Sequence, residues 1–212
     1  MGRLAFILTI ILGLGLSASN AAAADLVVQV KTTAGAPVED AVVTVYPAGG
    51  DTGPIHFDWP MKMSQQNIAF HPFVLIVPVG GSVSFPNLDT VRHHVYSFSP
   101  THPFELKLYG RDETRSIKFD KAGTVALGCN IHDKMAAFIK VVDTPYAAKT
   151  DASGNLVIHG LPAGQATLHL WRPYMKAPNN ELTKPIAVPA AGQVSETFAV
   201  EVHPPVMTHS MY

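Results

Sequence analysis

One cysteine stands in a chain of 212 residues, and it closes a strand-like run. Cys129 is followed at three-residue steps by His132 and Met135, giving C-x-x-H-x-x-M. Apolar runs flank the motif, Gly123 to Leu127 before it and Ala136 to Val142 after it. Both read as strands, which places the motif on a tight loop at one end of a sheet. Side chains alternate along a strand, so Val125, Leu127 and Cys129 share an inward face. Beyond the loop, Ile139 and Val141 point inward and Lys140 outward. The loop must then fold back and carry His132 and Met135 towards the sulfur. Thiolate, imidazole and thioether share one chemistry, the binding of a soft or borderline transition metal. A buried free cysteine is commonly inert packing; the three donors together argue for a metal.

The N-terminus bears on that choice. Arg3, an apolar run from Leu4 to about Leu16, and the small residues Ala21 to Ala24 form a secretory leader, residues 1–24, cleaved near Ala24. The run falls short of the ~20 apolar residues that a membrane span needs, so no stable membrane association is expected after cleavage. The expected location is the periplasm. Exported proteins use cysteines in disulfide pairs, and a lone thiol there needs an explanation. Capture of its thiolate by a metal supplies one.

Fifteen basic and sixteen acidic residues give a net charge of −1. There is no basic stripe for nucleic acid. Short Val-, Ile- and Phe-rich segments, abundant Gly and Pro, and no long helical period predict an all-β fold. Strands are expected at Leu26–Lys31, Ala41–Tyr46, Asn67–Phe70, Phe73–Val77, Gly81–Phe85, Val95–Phe98, Phe104–Tyr109, Ser116–Phe119, on both sides of the motif, at Leu156–Ile158, Ala166–Trp171 and Gln193–Val202. Two strands alone are not a stable domain, so residues 25–55 need partners from elsewhere. The tail, 203–212, is expected to be loosely held.

A second imidazole for the centre is His93 or His94. Val91, His93 and Val95 share one strand face, and Tyr96 and Phe98 share that of His94, so parity alone does not choose. His71, His102, His159 and His169 read as surface or structural histidines, and Trp59 and Trp171 as packing. Asp133 and Lys134 are expected to face solvent. Met207, His209 and Met211 are weaker candidates for loose binding of a soft metal ion.

The run from Val79 to Asp89 (VGGSVSFPNLD), then Val91-Arg-His-His-Val95, then Phe119 to Met135 (FDKAGTVALGCNIHDKM), resembles the cupredoxins, the small blue-copper proteins, over roughly residues 60–143. The short loop spacing is similar to that of amicyanin-type members, and the chain also looks like proteins labelled methylamine utilisation. The resemblance implies a Greek-key β-sandwich holding one type 1 copper ion on His93, Cys129, His132 and Met135. His94 stands where many cupredoxins have an asparagine that ties the ligand loops together. The flanks, Val30 to Val45 and Thr150 to Trp171, resemble the two halves of a carboxypeptidase-regulatory-like (Ig/transthyretin-like) β-sandwich. The copper unit would then interrupt a second, smaller sandwich made of 25–55 and 146–202.

The function expected from this is a non-enzymatic, one-electron carrier between redox partner proteins. Copper storage or delivery is the alternative, and a structural or adhesion module is a third class. No nucleophile–base pair, carboxylate pair or phosphate loop suggests catalysis.

Overall fold

The protein is described here from a computed structural model that covers residues 23–50 and 54–204. The expected leader lies outside these residues except for Ala23 and Ala24, which open the first strand; Met207, His209 and Met211 also lie outside them. Sixteen strands among the described residues make the fold all-β: β1 (Ala23–Thr32), β2 (Val42–Pro47), β3 (Ser64–Gln66), β4 (Ala69–His71), β5 (Val74–Pro78), β6 (Gly81–Pro86), β7 (His93–Ser97) and β8 (Phe104–Tyr109). These are followed by β9 (Thr114–Phe119), β10 (Gly123–Cys129), β11 (Ala136–Val142), β12 (Ala147–Lys149), β13 (Asn155–Pro162), β14 (Gly164–Trp171), β15 (Glu181–Val188) and β16 (Gly192–Val200).

The ends of the chain pair with each other. A three-stranded sheet, β13-β1-β16, faces a four-stranded sheet, β12-β2-β14-β15. Leu26, Val28 and Val30 of β1 meet Val43, Val45, Leu168 and Leu170 in one buried cluster between them. β1 is buried at every second residue, as expected of a strand with one face on a core. The middle of the chain forms a five-stranded sheet, β5-β11-β10-β7-β8, with the pair β6-β9 and the hairpin β3-β4. Its core holds Val83, Phe85, Val95, Phe119, Val125, Leu127 and Ile139 together with Cys129 and Met135.

A third cluster joins the two bodies. Val42, Phe57, Val74, Ile76, Val142, Ala147 and Trp171 are buried together. Lys140 of β11 reaches across to Glu181 of β15 at 2.9 Å, with its Nζ 5.1 Å from the Trp171 ring centroid.

Two local expectations are corrected. Asn67–Phe70 is not one strand: Asn67 and Ile68 are the two central residues of a hairpin turn between β3 and β4. Both have left-handed φ, 57° and 55°, as a type I′ turn requires. That conformation costs a β-branched residue roughly 1–2 kcal/mol, and an outside partner described below offsets it. The second correction is β15, absent from the sequence reading because Pro185 interrupts its pattern. It lies at the edge of its sheet, where a missing N–H leaves no ladder bond unmade.

Candidate metal centre

β10 delivers the cysteine. Val125, Leu127 and Cys129 are buried and Ala126 between them is exposed. The strand ends at Cys129, and two successive turns carry the chain back. The His132 amide donates to the Cys129 carbonyl at 3.3 Å, and the Met135 amide to the His132 carbonyl at 2.9 Å. Asp133, Lys134 and Ile131 are left outside, while Met135 turns into the core at 2 % exposure.

β7 supplies the second imidazole. Its register against β10 sets Val95 opposite Cys129, so His93, two residues away, shares the inward face near the sulfur. His93 is 0 % exposed. Its Nδ1 lies 3.7 Å from Cys129 Sγ, and His132 Nδ1 lies 3.6 Å from the same atom. The two rings are tilted by 55° with centroids 5.0 Å apart. All three donor atoms fall within 4.8 Å of one another, and no other such group of His, Cys, Asp or Glu occurs among the described residues.

These separations suit an ion. Bonds of ~2.3 Å to sulfur and ~2.0–2.1 Å to nitrogen, at about 110–120°, span about 3.6–3.8 Å between donors. Both rings present Nδ1 to the sulfur. His93, Cys129 and His132 thus form a group that could hold a metal ion, with the buried Met135 in the same apolar cluster as Cys129.

His94 has a different place. Its Nε2 lies 2.7 Å from Glu105 Oε1 on the outer face, and its carbonyl accepts the Asn130 amide at 3.0 Å. That main-chain bond joins β7 to the loop that follows Cys129. His71 and His159 are exposed, His159 against Asp25. His102 packs on Phe119, and His169 pairs with Glu181. Trp59 stacks on Phe57 and donates to the Ile76 carbonyl at 2.9 Å; Trp171 is buried in the joining cluster.

Asp89 and Asn87 are site residues to which the sequence reading gave no role. Asp89 Oδ2 lies 2.8 Å from His93 Nε2. The same carboxylate accepts the Asn67 amide at 2.6 Å and the Ile68 amide at 3.0 Å, which compensates the left-handed turn. Burial by itself raises the Asp89 carboxyl, but the hydrogen bonds from His93, Ile68 and Asn67 outweigh it and hold it below the ordinary carboxylate range. Asn87 is fully buried; it donates to the Val91 and Tyr109 carbonyls at 2.9 and 3.1 Å and accepts the Asp89 amide at 2.9 Å. The only sequence signal for either was the N-x-D-x-x-x-H spacing that ends at His93.

Tyr109 stands opposite His93 on β8. Its phenol donates to Gln65 Oε1, and burial pushes its pKa well above the usual range.

No protein-family model and no curated protein matches the chain. Among solved structures, a reduced amicyanin variant aligns at 20% identity and a TM-score of 0.36, covering 49% of this chain and 100% of that one. A purple cupredoxin from Nitrosopumilus maritimus aligns at 18% identity and 0.35, covering 38% and 98%. The copper-containing nitrite reductase NirK from Thermus scotoductus aligns at 24% and 0.38, covering 55% of this chain and 28% of that one.

Proposed function

We propose that this protein is a one-electron carrier that holds a single type 1 copper ion and passes electrons between redox partner proteins. The observation that carries the reading is the convergence of two ring nitrogens and one thiol sulfur within 4.8 Å, with Met135 buried in the same core. In this reading His93, Cys129 and His132 would be the strong ligands and Met135 a weak fourth one. A His₂Cys set with a long thioether is suited to copper in both of its oxidation states, so the bound ion would supply reversible one-electron chemistry.

The chain's own part is to keep those donors still. His93 is wedged in the core, Cys129 is fixed by the β7–β10 register, and the Asn130–His94 bond ties the loop to β7. Depth supports retention of the ion over its release to another protein: His93, Cys129 and Met135 are 0, 3 and 2 % exposed. His132 is half-buried, which leaves one ligand near the surface for a partner. Small, transient contacts suit electron-transfer encounters.

The leader pattern supports a periplasmic location. The pairing of β1 with β13 and β16, and of β2 with β12 and β14, supports a transthyretin-like sandwich interrupted by the copper unit.

The test is a visible and electron paramagnetic resonance spectrum of the copper(II)-loaded protein and of three variants. The copper–thiolate signature is expected in the parent and in His94→Ala, and is expected to be lost in His93→Ala and Cys129→Ser. Its survival in His93→Ala with loss in His94→Ala would overturn the ligand assignment. Its absence from the parent would overturn the function.

A further inference from the structure

His93 spends both of its ring nitrogens. Nδ1 faces the sulfur at 3.7 Å, and Nε2 lies 2.8 Å from Asp89 Oδ2. A carboxylate only accepts, so Nε2 carries the proton and Nδ1 keeps its lone pair. A main-chain carbonyl would have been enough to hold that proton. Here the partner bears a full negative charge, with the side chain only 12% exposed.

The carboxylate is itself held. The amides of Asn67 and Ile68 converge on its two oxygens from a left-handed hairpin turn. Its own amide donates to the buried Asn87, which is pinned to the Val91 and Tyr109 carbonyls. Turning Asp89 away from His93 would leave the buried His93 Nε2–H without its acceptor. The β3–β4 turn thus acts as a clamp on Asp89, and Asp89 as a clamp on His93.

We propose that Asp89 is the positioning and tuning residue of the centre, fixing His93 with Nδ1 free to ligate and biasing the site towards the more highly charged state of the ion. A carboxylate on the far nitrogen raises the basicity of a ligating imidazole. Its charge, carried across the ring, attracts a doubly charged ion more than a singly charged one. The bias between oxidation states rests on the copper reading; the tautomer does not.

Two measurements test it. Long-range proton–nitrogen correlation on the metal-free protein, in buffer alkaline enough for a neutral ring, is expected to show the His93 proton on Nε2. A proton on Nδ1 would overturn the proposal, whether or not copper is the natural metal. Asparagine at position 89 offers one acceptor oxygen where three N–H donors converge. Asp89→Asn is therefore expected to weaken copper(II) binding, read by chelator competition, by about 10–100-fold.

Copper(I) binding should fall less, raising the reduction potential by about 59 mV for each tenfold by which the two losses differ. Equal losses with an unchanged potential, or no loss at all, would sink the tuning role. Cobalt(II) titration of the parent and Asp89→Asn proteins separates the two readings. A parent without the copper–thiolate signature but with a cobalt affinity that falls on substitution would refute the copper reading alone.

Discussion

Replacing Gly128 with alanine sets a methyl group where the Tyr96 ring lies. Gly128 and Tyr96 are directly opposed on β10 and β7, one residue before Cys129. A Cβ at position 128 would sit 2.7 Å from both Cζ and Oη of Tyr96, against about 3.5–4.0 Å for a comfortable contact between carbon atoms. The ring does not bend, so the whole half-buried Tyr96 side chain must swing out by about 1 Å to restore that contact. Overpacking of this kind costs about 1–3 kcal/mol. Opposing it, an alanine at a position whose φ is not left-handed gains about 0.4–1 kcal/mol from a less free unfolded chain. The net expectation is a loss of roughly 1–2 kcal/mol, or about 2–8 °C in Tm. In a Tyr96→Ala background the steric term vanishes and the backbone term remains, so the sign reverses. The same Gly128→Ala change should then stabilise by about 0.4–1 kcal/mol. Thermal and urea unfolding of the four metal-free proteins completes the double-mutant cycle. Equal destabilisation by Gly128→Ala in both backgrounds would refute the reasoning.

Two further expectations follow from the contact between the two bodies. Trp171→Ala empties the largest side chain from the cluster that joins them and should cost about 3–5 kcal/mol in urea unfolding; a loss below about 1 kcal/mol would show that the cluster does not couple them. Burial alone raises the Glu181 carboxyl, but the hydrogen bonds from His169 and Lys140 outweigh it and hold it below its ordinary value of 4.5. Its contribution is therefore complete above that value and is lost as pH falls through the lower folded one, because the unfolded state binds the proton first. The stability difference between parent and Glu181→Gln should shrink between about pH 6 and about pH 3, and a difference independent of pH would contradict this assignment.

The all-β character and the inward face of the cysteine strand were legible in the sequence because each is set by a short-range rule. Side-chain alternation over Val125, Leu127 and Cys129 follows from the pleat, and the buried pattern of β10 repeats it. The C-x-x-H-x-x-M spacing likewise brings His132 to the sulfur through turns three residues long. β15 was hidden because Pro185 is compatible with a strand only at an edge, and the edge is a property of the assembled sheet.

Strand parity leaves His93 and His94 open and the family resemblance names His93; that His93 is the one beside the sulfur is a property of the tertiary structure. The faces of the two histidines are opposite, and a slip of one residue between β7 and β10 would exchange them. The pairing of Val95 with Cys129 brings His93 to the sulfur, across a separation of 36 residues between His93 and Cys129. The hold on His93 is as remote: the amides that clamp Asp89 come from a turn 21 and 22 residues earlier. Local sequence determines which side chains are donors and which way a strand faces. Which donors meet is decided by strand register and by hairpins docking on one another, since those depend on burial summed over the whole core.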